Sequence, residues 1–144
     1  LYKVGDAELV ARLIDGSYPD YRRLIPTDFS NTATIKRSEL VNITKVSSLF
    51  ARESAGSVTL KLDNEGSKVS IHSVASQLGE NTASCTASVE GAGDITLNSR
   101  YILDALGVIN SDTIQLCFNG KLEPCVIKPN DTDDYIHIIM PLKS

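Results

Sequence analysis

This sequence has no excess of basic residues. Its 14 Lys and Arg stand against 18 Asp and Glu, which gives a net charge of −4 and a pI near 5.1. Domains that hold nucleic acid through bulk charge usually carry a basic face and a high pI. The charge balance excludes that class of protein, so any DNA role must be local or topological.

Long apolar runs are missing as well. No stretch approaches the roughly 20 residues that cross a bilayer, and no basic-then-apolar signal segment opens the chain. The sequence therefore predicts a cytoplasmic protein with no membrane segment. Its first residue is Leu1 rather than Met, and this residue begins a predicted strand, so we expect the chain to be part of a longer polypeptide.

Cysteine is scarce and odd in number. Cys85, Cys117 and Cys125 are separated by 32 and 8 residues, spacings that match neither a zinc pattern nor a disulfide framework. We therefore expect three reduced thiols, no metal site and no cofactor.

Catalytic motifs are also missing, since no nucleophile lies in an elbow motif and no glycine-rich phosphate loop is found. His72 and His137 lie in predicted strands, where a structural role is more common than a catalytic one. Asp131, Asp133 and Asp134 lack the spacing and glycine of an EF-hand loop, so they predict a solvated turn. We expect a protein that is not an enzyme.

The chain divides into two unequal parts. Residues 1–14 predict a hairpin, because Gly5-Asp6 offers turn chemistry between two short runs of strand-forming residues. Residues 15–31 contain two prolines and a glycine among polar residues, which predicts an extended connector. We place a domain boundary there, with 1–23 ending one domain and 24–144 forming the next.

Two helices are predicted after the connector, at Arg37 to Glu53 and at Asn98 to Ile109. Apolar residues at spacings of three and four define the expected core stripe of the first helix: Leu40, Ile43, Val46 and Phe50. The opposite face holds three cations within about 80° and no acid: Arg37, Lys45 and Arg52, with Val41, Thr44 and Ser48. In the second helix, Asn98 and Ser99 can cap the start. Its expected core face is Ile102, Ala105, Leu106 and Ile109.

Strands occupy the rest of the chain from Thr32 onward, because apolar and polar residues alternate there between turn signals. They are predicted at residues 32–36, 58–62, 69–71, 81–90, 112–118, 123–128 and 134–140. Asn119-Gly120 predicts a tight turn between two of them. The resulting order is β-α-β-β-β-α-β-β-β, in which each helix is followed by three strands.

Two sequence motifs resemble a known family. Tyr18-Pro19-Asp20-Tyr21-Arg22-Arg23 lies in the connector, and Ile138-Ile139-Met140-Pro141-Leu142 lies near the end of the chain. Both are similar to motifs of the bacterial sliding clamp, the beta subunit of DNA polymerase III, and both fall where that family has them. The resemblance spans the whole chain, as the last hairpin of the family's middle domain, the interdomain connector and the C-terminal domain. It implies an α+β clamp fold, with two helices packed on two antiparallel sheets.

The resemblance implies a processivity factor without catalytic activity, a homodimeric ring that encircles duplex DNA without reading its sequence. The helices of such a ring line its hole, where cations attract phosphates diffusely. This implies a DNA-facing role for Arg37, Lys45, Arg52 and Arg100. An ordinary solvated helix face is the alternative, and Arg100 shares its outer face with Asp104.

The resemblance also implies a docking groove for short linear motifs of DNA polymerase subunits and the clamp loader, motifs that carry Gln and a Leu-Phe-like pair. Carried over by position, its lining is Pro19, Arg23, Leu24, Asn98, Tyr101, Leu122, Pro124, Ile138, Ile139, Met140, Pro141 and Leu142. Only one of the adjacent Ile138 and Ile139 is expected to face the groove. Tyr101 as a packing residue and Pro19 as a stiffener of the connector remain alternatives.

Two further functions remain open from the residues alone. One is a free-standing peptide-binding or assembly module that does not act on DNA. The other, less favoured, is an unrelated small hydrolase.

Overall fold

The computed structural model describes residues 1–18 and 20–143. The strands are β1 (Tyr2–Val4), β2 (Ala7–Leu9), β3 (Asn31–Lys36), β4 (Ser57–Asp63), β5 (Lys68–Ala75), β6 (Gly79–Glu90), β7 (Gly93–Asn98), β8 (Thr113–Phe118), β9 (Cys125–Pro129) and β10 (His137–Ile139). The helices are α1 (Arg37–Phe50) and α2 (Ser99–Val108), with short 3-10 turns at Tyr21–Leu24 and Ala51–Ser54.

The N-terminal hairpin forms as predicted. Val4 pairs with Ala7, so Gly5-Asp6 is a two-residue turn, and Gly5 takes the positive φ of 59° that such a turn requires. Every described residue from 1 to 24 is exposed. The hairpin and the first part of the connector, up to Leu24, therefore lie outside the packed body of the chain.

The other strands form one antiparallel sheet in the order β10-β9-β8-β3-β6-β5-β4-β7. Strand β6 belongs to both halves of this sheet. Residues 87–90 pair with β3, and residues 79–86 pair with β5. Helix α1 packs on β5 and β6, helix α2 packs on β7 and β10, and the two helices pack on each other. The predicted α+β class, with two helices on antiparallel sheets, is confirmed.

Strand β7 is not among the strands that the sequence pattern predicts. Its alternation is regular, since Ile95 and Leu97 are buried while Asp94 and Thr96 are half-buried, but the short segment between Gly93 and the helix cap was not assigned. With β7 included, the order β-α-β-β-β occurs twice. The two repeats are interleaved, because β3 pairs with β8 and β4 pairs with β7.

Two further strand predictions are corrected. Cys117 pairs with Val126, so a longer loop replaces the tight turn predicted at Asn119-Gly120. Strand β10 covers only His137–Ile139, against the predicted 134–140, because the preceding acidic segment is an exposed loop.

The buried face of α1 differs from its prediction. It is formed by Leu40, Thr44 and Ser47, whereas Val46, predicted to be core, is 44% exposed. Thr44, predicted on the solvent face, is fully buried, and its hydroxyl donates to the carbonyl of Leu40 at 2.7 Å. Apolar spacing misplaced the stripe because small polar side chains can also be buried, and Thr44 is one whose hydroxyl finds its partner within the helix.

Helix α2 forms as predicted. The Asn98 side chain accepts from the amide of Arg100 at 2.9 Å and so caps the first turn. The expected core residues Ile102, Ala105 and Leu106 are fully buried. Within the described residues, neither helix is long and apolar enough to span a membrane.

Candidate functional site

The C-terminal tail brings the two ends of the sheet together. Ile139 in β10 pairs with Cys125 at one edge, and the amide of Leu142 donates to the carbonyl of Thr96 in β7 at 2.9 Å. Strand β7 is the opposite edge, and three extended residues span at most about 10 Å. Both sheet edges therefore meet at the C-terminal end of the chain.

This junction collects the predicted groove residues of the tail and of α2. Thr96 lies two residues before the helix cap at Asn98, and Tyr101 follows in the first turn with its side chain 52% exposed. Met140 is 60% exposed, and Leu142 is half-buried.

The loop of residues 119–124 adds a third element. Extending the β9–β10 register by one residue from the Cys125–Ile139 pair places Pro124 beside Met140. Leu122 in the same loop is 67% exposed. We call this region the C-terminal surface: Asn98, Tyr101, Leu122, Pro124, Ile138, Met140, Pro141 and Leu142.

Ile138 and Ile139 separate as predicted. Ile139 is 2% exposed and belongs to the core, whereas Ile138 is half-buried. Ile139 therefore supports the C-terminal surface from below rather than lining it.

Both the oxygen and the nitrogen of the Asn98 side-chain amide form hydrogen bonds within the fold. Its oxygen caps α2, and its nitrogen donates to the carbonyl of Ala55 at 3.0 Å. One donor and one acceptor site remain on the amide for a ligand.

The structure describes two of the three predicted connector residues, Arg23 and Leu24. Leu24 is 52% exposed, and Arg23 pairs only locally, with 3.6 Å between its Nε and a carboxylate oxygen of Asp20. Pro19 lies outside the described residues. Among the described hydrogen bonds and ion pairs, none joins Arg23 or Leu24 to the C-terminal surface.

Asn119 is a residue that the sequence prediction missed. Its side-chain oxygen accepts from the amide of Ser30 at 2.7 Å, and its side-chain nitrogen donates to the carbonyl of Asp28 at 2.9 Å. An Asn before a Gly indicates a turn, and nothing in the sequence indicates binding to a segment 89 residues away.

The four predicted DNA-facing cations have different surroundings. Arg37 is half-buried, and its guanidinium donates to the carbonyl of Leu106 at 3.0 Å, linking α1 to the end of α2. Lys45, Arg52 and Arg100 are exposed, and within the described part of the chain they form no ion pair. These three are free to act as surface charge, whereas Arg37 is also a structural contact.

Comparison with known proteins decides the family. Residues 22–143 match the family described as DNA polymerase III beta subunit, C-terminal domain. The chain belongs to this family.

The relatives agree with that assignment. The beta sliding clamps of Staphylococcus aureus and Staphylococcus epidermidis are each 32% identical over the whole chain. Among solved structures, the DNA polymerase III beta subunit of Thermotoga maritima is 28% identical, with a TM-score of 0.85 over 92% of this chain and 36% of that chain. The beta chain from Streptococcus pneumoniae is 32% identical, with a TM-score of 0.81 over 92% of this chain and 36% of that chain.

The chain spans 38% of the length of these curated relatives. The resemblance inferred from the connector and C-terminal motifs is confirmed, and so is the clamp fold.

The cysteines of this beta subunit domain are free thiols. Burial raises the pKa of Cys85 to about 11, with a smaller contribution from the carboxylate of Glu39. Burial also raises the pKa of Cys117 and of Cys125. All three are protonated at neutral pH, and a protonated thiol is a poor nucleophile and a poor metal ligand.

The histidines of the domain lie in strands and bond to neighbouring hydroxyls. Nδ1 of His72 is 3.1 Å from the hydroxyl of Thr82, and Nδ1 of His137 is 2.9 Å from that of Tyr135. Over residues 1–18 and 20–143, no group of His, Cys, Asp and Glu side chains is arranged to hold a metal ion.

A concavity of about 460 Å³ on the outer face of the sheet is lined by residues other than those of the C-terminal surface. Its charges are largely paired: Lys68 lies 3.5 Å from Asp63, and Asp94 lies 2.9 Å from Lys121. A hydrogen bond from the amide of Gly66, aided by Lys68, lowers the pKa of Asp63. This polar face lacks the apolar walls that a peptide groove needs.

Proposed function

We propose that this chain is the C-terminal portion of a cytoplasmic sliding clamp, a processivity subunit without catalytic activity. In the complete homodimeric ring it encircles duplex DNA and docks DNA polymerase subunits and the clamp loader. The division into residues 1–23, from the middle domain and connector, and 24–144, the C-terminal domain, belongs to this proposal. The family match supports it, and the alternative of a free-standing module is not favoured by relatives that match the chain over its whole length.

The C-terminal surface carries the docking half of the proposal. Tyr101, Leu122 and Met140 expose more than half of their area although they lie beside a packed core. Exposed apolar side chains that form one contiguous patch mark interaction sites, whereas singly scattered ones do not. Asn98 and Arg23 supply polar groups that can orient a peptide, and Met140 can repack around different apolar side chains.

A peptide carrying the Gln-x-x-Leu-Phe motif tests the docking role. In solution NMR it should perturb the signals of Tyr101 and Met140, and the missing N-terminal part of the polypeptide should tighten binding. If the complete polypeptide shows no shift at these residues, docking at this surface is ruled out.

The chain offers a matched control for that experiment. Leu122 and Leu78 are 67% and 68% exposed, but Leu78 lies in the turn between β5 and β6 and is not one of the C-terminal surface residues. Leu122→Ala should weaken peptide binding, whereas Leu78→Ala should leave it unchanged.

The exposed cations carry the DNA half of the proposal. Lys45 lies in α1, and Arg52 lies in the 3-10 turn that continues this helix. Arg100 lies in the first turn of the neighbouring helix α2. Unpaired cations attract phosphates without reading sequence, and their effect falls as salt rises. A ring needs only such weak attraction, because it is held on DNA by enclosure.

A further inference from the structure

Within the described chain, two hydrogen bonds join residues 15–30, the connector up to β3, to the packed body, and Ile25, Pro26 and Phe29 are half-buried. Most of the connector's hydrogen bonds are local, such as those from the amide of Arg23 to Asp20 and from the amide of Ile25 to Arg22. Its ion pairs are local too. Among the described residues, every hydrogen bond that leaves the connector ends on Asn119.

The side chain of Asn119 binds the connector as a peptide group of a strand would. It accepts from the amide of Ser30 at 2.7 Å and donates to the carbonyl of Asp28 at 2.9 Å, so it satisfies two backbone groups of one extended segment. A side-chain amide carries its donor and its acceptor on separate atoms of one planar group, as the peptide group does.

Neighbouring residues fix the position of this contact. The carbonyl of Asn119 accepts from the side-chain nitrogen of Asn31 at 3.2 Å, and Asn31 is 7% exposed. On the other side, a Cβ at Gly91 would lie 2.2 Å from the carbonyl oxygen of Ser30. Gly91 and Asn119 therefore closely confine the backbone at Ser30 and Asn31, where the connector continues into β3.

Asn119 also begins the loop that carries part of the C-terminal surface. Its neighbour Gly120 accepts from the amide of Glu123 at 3.2 Å, which closes the loop, and Leu122 and Pro124 lie on either side of Glu123. One side chain thus joins the segment bearing Arg23 and Leu24 to the segment bearing Leu122 and Pro124.

We propose that Asn119 is a positioning residue for partner docking, which holds the connector wall of the groove in register with the loop wall without contacting the peptide. This inference rests on the docking role proposed above. It goes beyond that role because it assigns the alignment of the two walls to a residue outside the predicted lining.

Two substitutions test the proposal in the complete polypeptide. Asn119→Ala removes both side-chain bonds, and Asn119→Asp keeps an acceptor for Ser30 but turns a carboxylate oxygen toward the carbonyl of Asp28. Asn130→Ala is the control, because Asn130 also accepts a side-chain hydrogen bond, from Gln115 at 2.9 Å, but at the far end of the β8–β9 hairpin.

Two measurements separate positioning from a general loss of structure. Hydrogen exchange at the amide of Ser30 reports whether the connector is released, and titration with the Gln-x-x-Leu-Phe peptide gives Kd. We expect faster exchange at Ser30 and a Kd raised about tenfold for Asn119→Ala, the size of losing two ordinary hydrogen bonds. Asn130→Ala should match the unsubstituted protein in both measurements.

The outcomes are distinct. Faster exchange at Ser30 with an unchanged Kd overturns the proposal, because the connector would then be released without consequence for docking. If Asn119→Ala does not fold, the Asn119→Asp variant, which keeps the acceptor for Ser30, decides in the same way. If the unsubstituted polypeptide does not bind the peptide, the docking role itself fails.

Discussion

The amide of Leu142 donates to the carbonyl of Thr96 at 2.9 Å, and this bond joins the tail after β10 to the edge strand β7. The two strands lie at opposite ends of the eight-stranded order. The arrangement of the C-terminal surface depends on this contact, because it brings the tail alongside the start of α2.

Removing residues 142–144 should disrupt this junction. The deletion takes away the amide and the half-buried side chain of Leu142, so the free energy of unfolding should fall by about 1–2 kcal/mol. Peptide affinity should fall too, since Met140 loses its anchored neighbour. Chemical denaturation and peptide titration measure these effects.

The control for this deletion is the removal of residues 143 and 144 alone. It keeps Leu142 and its hydrogen bond, so it should change neither quantity. Equal losses from both deletions would mean that the Leu142–Thr96 bond is not what holds the tail.

The second prediction concerns the cations proposed to face DNA. Replacing Lys45 and Arg52 by Ser in the complete polypeptide should shorten its retention on DNA at low salt, and the difference should shrink as salt screens the charges. Lys61→Ser, on the outer sheet face, is the control and should have no effect. If the double variant is retained on DNA at low salt as long as the unsubstituted protein, the two cations belong to an ordinary solvated helix face.

Arg37 should behave differently from those two cations. Arg37→Ser removes the donor to Leu106, so it should lower the free energy of unfolding by about 1 kcal/mol in addition to any effect on DNA. The thermal unfolding midpoint checks this. An unchanged midpoint would mean that the contact between the helices adds nothing to stability.

Ser47 gives a stability prediction of opposite sign. Its hydroxyl is fully buried, and within the described residues it has no hydrogen-bond partner. Ser47→Ala should therefore raise the free energy of unfolding by about 1 kcal/mol, by removing an unpaired polar group and improving helix propensity.

Thr44→Val is the matched control in the same helix. It removes a buried hydroxyl that does have a partner, the carbonyl of Leu40, so it should be neutral or destabilising. A destabilised Ser47→Ala variant would show that the hydroxyl of Ser47 is bonded in solution.

The last prediction concerns alkaline pH. The pKa of Cys85 is raised from 9.0 to about 11 in the folded chain, so the folded state holds this proton more tightly than the unfolded state does. The associated stability is complete below pH 9 and is lost as pH rises toward 11. Urea denaturation of Cys85→Ala should show a shallower decline over this range, whereas an identical decline would contradict the assignment.

Most of the fold was predictable from local patterns. The hairpin at Gly5-Asp6 and the cap at Asn98 follow from residue types whose geometry is nearly fixed, and the alternation of Val58, Leu60 and Leu62 identified a half-buried strand. Strand β7 was missed because it is short and lies between a glycine turn and a helix cap. The buried face of α1 was misplaced because Thr44 and Ser47 are hidden by packing, which no hydropathy pattern indicates.

The candidate site was predictable only through the two motifs. The C-terminal motif names the tail segment of the C-terminal surface, but the contact of this tail with β7 depends on the Leu142–Thr96 bond, which joins residues far apart in sequence. Asn119 was not predictable for the same reason, since its partners Asp28 and Ser30 are defined by the folded chain alone.

The interleaving of the two repeats has a consequence for how the domain folds. Neither repeat contains all of its own strand partners, since Ile35 pairs with Ile114 and Leu60 pairs with Ile95. Such long-range pairing slows folding, because the chain loses the entropy of loop closure before the non-local contacts stabilise it. We therefore expect the domain to form in one slow cooperative step, without a stable intermediate in which one repeat is folded and the other is not.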